Sequence, residues 1–326
     1  MKNIERSMLK NNECASKANS LVVIITHGDV DGMVCAAQLI RREKSQCDLR
    51  FSNAKYIKSA LVHILRSSCK PHQIYISDIP ANPEVIKIIS TLKEHGTRIF
   101  WIDHHPWEGE VREQIENCCD EVIYNESLQT PAGILMGRWL KDEDPYYEKV
   151  GNICYAYEKG SDWEGNWFRL LSSYIGNSKK DVLERLAYDQ DFTEDDLQRI
   201  EQNKKDELKA QQILNETPQS FETKSKKSLA VYDTSEDQGI YLGHKVFDYH
   251  DVDYCLIHIM EKKWQLACNP SRKQSMKHLM GKKKIKGHVF ALGGRENELL
   301  AIVSESNKNI KSEIHELLID WLCEKL

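Results

Sequence analysis

The chain has 326 residues, 40% of them hydrophobic and 29% charged, with a formal net charge of −5 at pH 7. At about 100–200 residues per domain, that length predicts two domains rather than one small scaffold. The acidic balance excludes a globally basic nucleic-acid coat while leaving room for a local basic groove. No apolar run approaches the ~18–20 residues that would span a membrane, so no membrane partner is expected.

The opening stretch, MKNIERSMLKNNECASKANS, is polar and lacks the apolar core of a signal peptide. The 10 cysteines are scattered, with no CxxC and with Cys118 and Cys119 adjacent. That usage predicts a reduced, cytoplasmic protein rather than a disulfide scaffold or a zinc–cysteine module.

Leu21–Thr26 (LVVIIT) predicts a buried strand that runs through HGDVDG into the helical pattern MVCAAQLIRREK. Leu49–Ser52 is a weaker strand and Ile57–Arg66 a helix. Ile74–Ser77 (IYIS) is a strand ending at Asp78, and Pro83–His95 is a helix with proline in its first turn. Arg98–Ile102 (RIFWI) is a strand ending at Asp103-His104-His105, and Glu121–Tyr124 is the next. Thr130-Pro131 supplies a cap and first-turn signal for a helix over Ala132–Leu140. Tyr146–Lys159, Phe168–Leu186 and the highly charged Asp195–Leu214 read as further helices. Asn215–Ser228 is rich in helix and strand breakers.

Beyond it, Leu229–Tyr232, Ile240–Leu242, Tyr254–Met260, Trp264–Cys268 and Glu298–Val303 read as strands, and Ile310–Leu326 as an amphipathic helix. The expected fold class is α/β: a parallel-sheet domain over 1–192, a connecting helix and linker over 193–228, and a smaller mixed α/β domain over 229–326. The expected active cleft lies between the two domains.

Four segments carry the chemistry: His27-Gly28-Asp29-Val30-Asp31-Gly32, Asp78, Asp103-His104-His105, and Asp162. The first three directly follow predicted strands, and ligands bind at the carboxyl ends of strands in open parallel sheets. Carboxylates gathered at one sheet edge repel one another, and divalent cations resolve that repulsion. Carboxylate with imidazole suits manganese, with magnesium, iron, cobalt or zinc as alternatives. Two ions can activate a water and stabilise a phosphoryl displacement. Each segment also has a plainer reading. HGDVDG could cap a helix with Asp31 at the N-cap, Asp78 could be a loop residue, the two histidines could be structural, and Asp142 and Asp144 compete with Asp162.

HGDVDG, Ile76-Ser77-Asp78 and Ile102-Asp103-His104-His105-Pro106 together resemble the motifs of the DHH phosphoesterases, named for Asp-His-His. That superfamily includes RecJ-type single-strand exonucleases, nanoRNase/pAp phosphatases, cyclic-dinucleotide phosphodiesterases and exopolyphosphatases. Asp162, behind Ile153–Glu158, is similar to the family's fourth motif. The resemblance implies that His27, Asp31 and Asp78 hold one ion. It implies that Asp78 bridges to a second ion, held also by His104 and Asp162. Asp29 matches a ligand position of the RecJ-like HxDxDG version, whereas the phosphatase-like version has a later Asp where this chain has Met33. Asp103 would orient the site or contact metal indirectly, and His105 would meet the scissile phosphate or assist the leaving group. In the second domain, Lys286-Gly287-His288 followed by Ala291-Leu292-Gly293-Gly294 resembles the family's glycine-rich GGGH segment, with Ile285 and Lys286 standing where glycines would be. Gly287, His288, Gly293 and Gly294 would thus grip phosphate, and Arg272 is the nearest match to an expected arginine.

A basic stripe points to a polyanionic substrate independently. Between Lys262 and Arg295 there is no Asp or Glu, and the segment includes Arg272, Lys282, Lys283 and Lys284. A solvated lysine-rich loop is the alternative. Trp264 could stack a base or fill the core, and the Trp163–Phe168 aromatics read as packing. The expected activity is metal-dependent hydrolysis of single-stranded nucleic acid or short oligonucleotides, using two Mn2+ ions or Mg2+. The alternatives are a small-nucleotide phosphatase or cyclic-dinucleotide phosphodiesterase, and a non-catalytic nucleic-acid-binding scaffold.

Overall fold

Short apolar runs build a parallel sheet in the first half of the chain, its three central strands buried on both faces. Its strands are β1 Val22–Thr26, β2 Cys47–Phe51, β3 Gln73–Ser77, β4 Arg98–Asp103 and β5 Glu121–Tyr124. Their order is β2-β1-β3-β4-β5, with every pairing parallel. In the computed structural model the described residues are 21–44, 47–107, 109–126, 130–159, 165–175, 179–233, 245–260, 263–272, 275–285, 288–295, 298–303 and 311–326. The chain divides into two units, Met1–Ile200 and Glu201–Leu326.

The helices of the first unit are α1 Val30–Glu43, α2 Ile57–Arg66, α3 Ile86–Glu94, α4 Gly109–Cys118, α5 Ala132–Leu140, α6 Tyr146–Lys159, α7 Asn166–Ser172 and α8 Lys180–Ala187. The period-2 strand pattern sends Val23, Ile25, Ile74, Ile76, Ile99 and Trp101 to the face covered by α2, α3 and α4. α1 is buried continuously from Val30 to Ile40, because the sheet lies on one side of it and α5, α6 and α8 on the other.

Most first-unit elements match the sequence expectations. α4 was not expected: GEVREQIENC offers only Val111 and Ile115 as buried apolar positions, too few to register a helical period. Phe168–Leu186 is two helices rather than one, separated after Ser172. The aromatics there pack, with Phe168 buried and the Trp167 and Phe192 rings 4.6 Å apart.

The long helix α9, Glu194–Leu214, leads into the second unit. A seven-stranded mixed sheet follows, in the order β10-β11-β12-β9-β8-β7-β6. Its strands are β6 Gln219–Glu222, β7 Ser228–Asp233, β8 Tyr254–Met260, β9 Lys263–Cys268, β10 Gly281–Ile285, β11 His288–Arg295 and β12 Glu298–Val303, and helix α10 is Lys311–Lys325. Only β7 and β8 pair in parallel. Part of the expected linker therefore forms edge strand β6. Trp264 is core, 1% exposed within the apolar cluster under α10. The Ile240–Leu242 expectation lies outside the described residues.

Eight of the described cysteines are free thiols. No helix among the described residues is long and apolar enough to cross a membrane.

Candidate metal centre

β1, β3 and β4 are neighbours in the sheet, so the loops at their carboxyl ends meet at one edge. The strand order reverses between β1 and β3, which makes that edge the crevice where open α/β sheets bind ligands. HGDVDG is the tight return from β1 into α1. Asp29 is the N-cap, its carboxylate accepting from Gly32 N–H at 3.1 Å. Asp31, the expected N-cap, lies instead in the first helical turn, fully buried. Thr26 Oγ1 donates to the Gly32 carbonyl at 2.8 Å, closing the loop from below.

Asp78 leaves β3 with a φ of 55°, a left-handed conformation that is uncommon outside glycine. Its backbone N–H donates to Ile102 O at 2.9 Å, pinning the turn to β4. Such conformations cluster where the surrounding fold forces a side chain into a working position. Asp103 is the last residue of β4, and His104 and His105 follow it.

Asp78 is the centre of the constellation. One group of mutually close donors is His27, Asp29 and Asp78, and another is Asp78, His104 and His105, each within 4.8 Å. His27 Nδ1 lies 2.9 Å from Asp29 Oδ2 and 3.8 Å from Asp78 Oδ2. His104 Nε2 is 3.5 Å from both Asp31 Oδ2 and Asp78 Oδ1. Without an ion, His27 thus lies nearest Asp29, while Asp31 faces His104. Asp162 lies outside the described residues.

Electrostatics and unpaired atoms both fit a cation. Burial raises the Asp78 carboxyl well above its ordinary pKa, and the charges of Asp29 and Asp31 raise it further. Burial alone would raise Asp29 too, but the hydrogen bond and charge of His27 outweigh it and hold that carboxyl well below the usual range. Asp78 Oδ2 and both ring nitrogens of His104 are buried without a hydrogen-bond partner, a costly state that a bound cation relieves. The buried thiols of Cys35 and Cys154 are pushed up by burial and then by Asp31. The donor set is therefore carboxylate and imidazole, suited to hard or borderline divalent ions.

Asp103 makes no approach of this kind. Its Oδ1 lies 2.8 Å from His105 Nδ1, and its Oδ2 accepts from Trp107 Nε1 at 2.6 Å. Trp107 was not singled out in the sequence. Its indole holds the carboxylate that orients His105, and an aromatic shortly after DHHP was the available signal.

Asp144, a rival for the fourth acidic position, is taken up structurally. It pairs with Arg41 at 2.6 Å and accepts from Tyr146 N–H at 2.9 Å; that N–H and then Arg41 lower its pKa against burial. Asp144→Asn should leave the carboxylate and imidazole cluster around Asp78 undisturbed and cost about 1 kcal/mol in urea unfolding, as loss of a capping charge does.

In the second unit, His288, Gly293 and Gly294 lie in strand β11, paired with β10 and β12, not in an open loop. Gly287 lies outside the described residues. Arg272 is engaged by two carboxylates, pairing with Asp251 and, at 2.6 Å, with Asp253. Lys282, Lys283 and Lys284 lie on edge strand β10 and alternate between its faces. Lys282 and Lys284 are exposed, while Lys283 is half-buried.

No family model matches the sequence, and no curated protein matches it. Solved structures do. A DHH-domain protein described as a member of a family of ribosomal proteins aligns over 93% of this chain and 86% of its own, with 13% identity and a TM-score of 0.59. PggH, a pGpG-specific phosphodiesterase from Vibrio cholerae, aligns over 92% of this chain and 98% of its own, with 14% identity and a TM-score of 0.55. CDC45 from Entamoeba histolytica aligns over 97% and 98% respectively, with 9% identity and a TM-score of 0.53. With an Asp-His-His triplet at the end of β4 and this architecture around it, the chain has the fold of the DHH phosphoesterases.

Proposed function

We propose that this chain is a metal-dependent phosphodiesterase acting on single-stranded nucleic acid or short oligonucleotides. The observation that carries the reading is Asp78, strained, buried and common to two groups of potential ligands. His27, Asp29, Asp31, Asp78, His104 and Asp162 would hold two divalent cations, Mn2+ foremost and Mg2+ as the alternative. Bound there, the cations would supply an acidified water and neutralise charge on the phosphate oxygens.

The chain's own residues do the rest. A carboxylate only accepts, so Asp103 fixes the Nδ1–H tautomer of His105. The other ring nitrogen, Nε2, is left to meet a phosphate or leaving-group oxygen, and the His105 side chain is 20% exposed. Trp107 keeps Asp103 in place for that task. In the second unit, Gly287, His288, Gly293 and Gly294 would bind phosphate, with Lys282 and Lys284 holding neighbouring phosphates of a longer strand.

The likeness to the pGpG-specific PggH favours a second reading within the same chemistry, a dinucleotide phosphodiesterase. A panel with Mn2+ separates the two: labelled single-stranded DNA and RNA ladders, linear and cyclic dinucleotides, pAp and polyphosphate. Progressive shortening of ladders supports the strand reading. Turnover confined to dinucleotides selects the second, and turnover of pAp or polyphosphate alone rejects both.

The lysines allow a sharper test. Lys282→Ala with Lys284→Ala should weaken binding of long single strands and lower the salt slope by about 1–1.5, the share of two phosphate contacts. Lys283→Ala should change neither, and the double variant should leave dinucleotide cleavage nearly intact. An equal effect of Lys283→Ala would mean that the strand's alternation does not organise the contact.

A further inference from the structure

Helix α5 begins without a side-chain cap of its own. Its N-cap is Pro131, which makes no capping hydrogen bond, and the expected cap at Thr130 is not used. The first N–H groups of a helix have no intrahelical acceptor and must find one elsewhere. Here the acceptor is Asp31, from 101 residues earlier: Ala132 N–H donates to its Oδ2 at 2.8 Å. Gly133 N–H donates to its Oδ1 at 2.7 Å. Both bonds are buried, and Asp31 is 0% exposed.

The approach depends on glycine. A Cβ at Gly133 would overlap Cys154 Sγ and lie 3.1 Å from Asp31 Oδ1. A Cβ at Gly151 of α6 would lie 2.9 Å from the Gly133 carbonyl oxygen. Small residues thus let α5 and α6 close onto Asp31, and the positive end of the α5 dipole faces its charge.

We propose that the Asp31 carboxylate caps α5 from outside the helix, in place of a side-chain cap from the N-cap residue, and that the Ala132 and Gly133 amides are a positioning element holding Asp31 toward His104. The carboxylate serves the fold before it serves any ion. Its role therefore differs in kind from that of Asp78, which is crowded by like charges and makes no such bond to a helix start.

The two roles give opposite signs in metal-free protein. Removing a carboxylate from a repulsive cluster should stabilise it, whereas removing a cap should not. In excess chelator, Asp78→Asn should melt at or above wild type. Asp31→Asn should melt at least about 3 °C lower, because its amide must set a donor against one of the two buried N–H groups. An Asp31→Asn melting point at or above wild type overturns the proposal.

Amide exchange on the wild-type chain in chelator gives a second reading that does not depend on the variant folding. The Ala132 and Gly133 amides should exchange at least about 100-fold more slowly than in an unfolded chain, although helix-start amides ordinarily lack partners. Exchange within about tenfold of the unfolded rate overturns the proposal as well. Neither measurement uses metal, substrate or turnover, so the proposal can fail while the hydrolytic reading stands, and the reverse.

Discussion

Asp78→Asn is expected to abolish phosphodiester hydrolysis, with kcat falling on the order of 10³-fold or more; loss of a single transition-state donor elsewhere costs about 10²–10³. Asp78 belongs to both donor groups, so neutralising it would weaken the hold on both of the proposed ions at once. The variant should still fold. Asparagine matches the shape of aspartate and tolerates the left-handed φ of 55° at this position. Single-turnover cleavage of a labelled oligonucleotide at saturating Mn2+ measures the loss directly. A fall smaller than about tenfold would mean that Asp78 is not shared between two ions.

Gly32→Ala should damage both stability and metal binding. A Cβ at Gly32 would lie 2.8 Å from both the backbone N and C of His27, where no flexible side chain can give way. Gly32 N–H also completes the Asp29 cap, and its carbonyl accepts from Thr26. The substitution must therefore pry the return from β1 into α1 open. The expected cost is about 3 kcal/mol in urea unfolding, the upper range for overpacking a well-packed site. Mn2+ binding followed by electron paramagnetic resonance should weaken along with it, because His27, Asp29 and Asp31 all sit on that return. Gly109→Ala is the control: no atom lies within 4 Å of its Cβ position, so stability should hold or rise slightly. Equal losses from the two variants would show that close packing at Gly32 is not the cause.

Where side chains alternate between buried and exposed in a regular period, the sequence predicts the element to within a residue or two. α2 and α6 show this, whereas β1 was legible as a short, wholly buried β-branched run. The elements that escaped notice have weak patterns for identifiable reasons. α4 buries two apolar side chains, and β10 has one buried residue after three lysines. β6 is a polar edge strand whose pairing comes entirely from β7.

In the site, strand ends followed by Asp or His were legible because a parallel sheet brings such ends together. Pairing within the site was not, because it depends on contacts across long separations. Nothing near Asp31 in sequence indicates that its partners are the amides of Ala132 and Gly133. Trp107 likewise acts only because β4 turns its indole back onto Asp103. Arg272 reads as a free cation in a basic stripe, yet Asp251 and Asp253 engage it.

The proposed cation site of carboxylates and imidazoles around Asp78 makes phosphodiester hydrolysis depend on bound metal. The most direct measurement is cleavage of labelled single-stranded oligonucleotides and dinucleotides by protein stripped with chelator and then titrated with Mn2+. Cleavage should be absent in chelator, return as Mn2+ is added, and stay absent in Asp78→Asn at every Mn2+ concentration. Full turnover by the stripped protein in excess chelator, or equal restoration of Asp78→Asn by Mn2+, would contradict a cation site centred on Asp78.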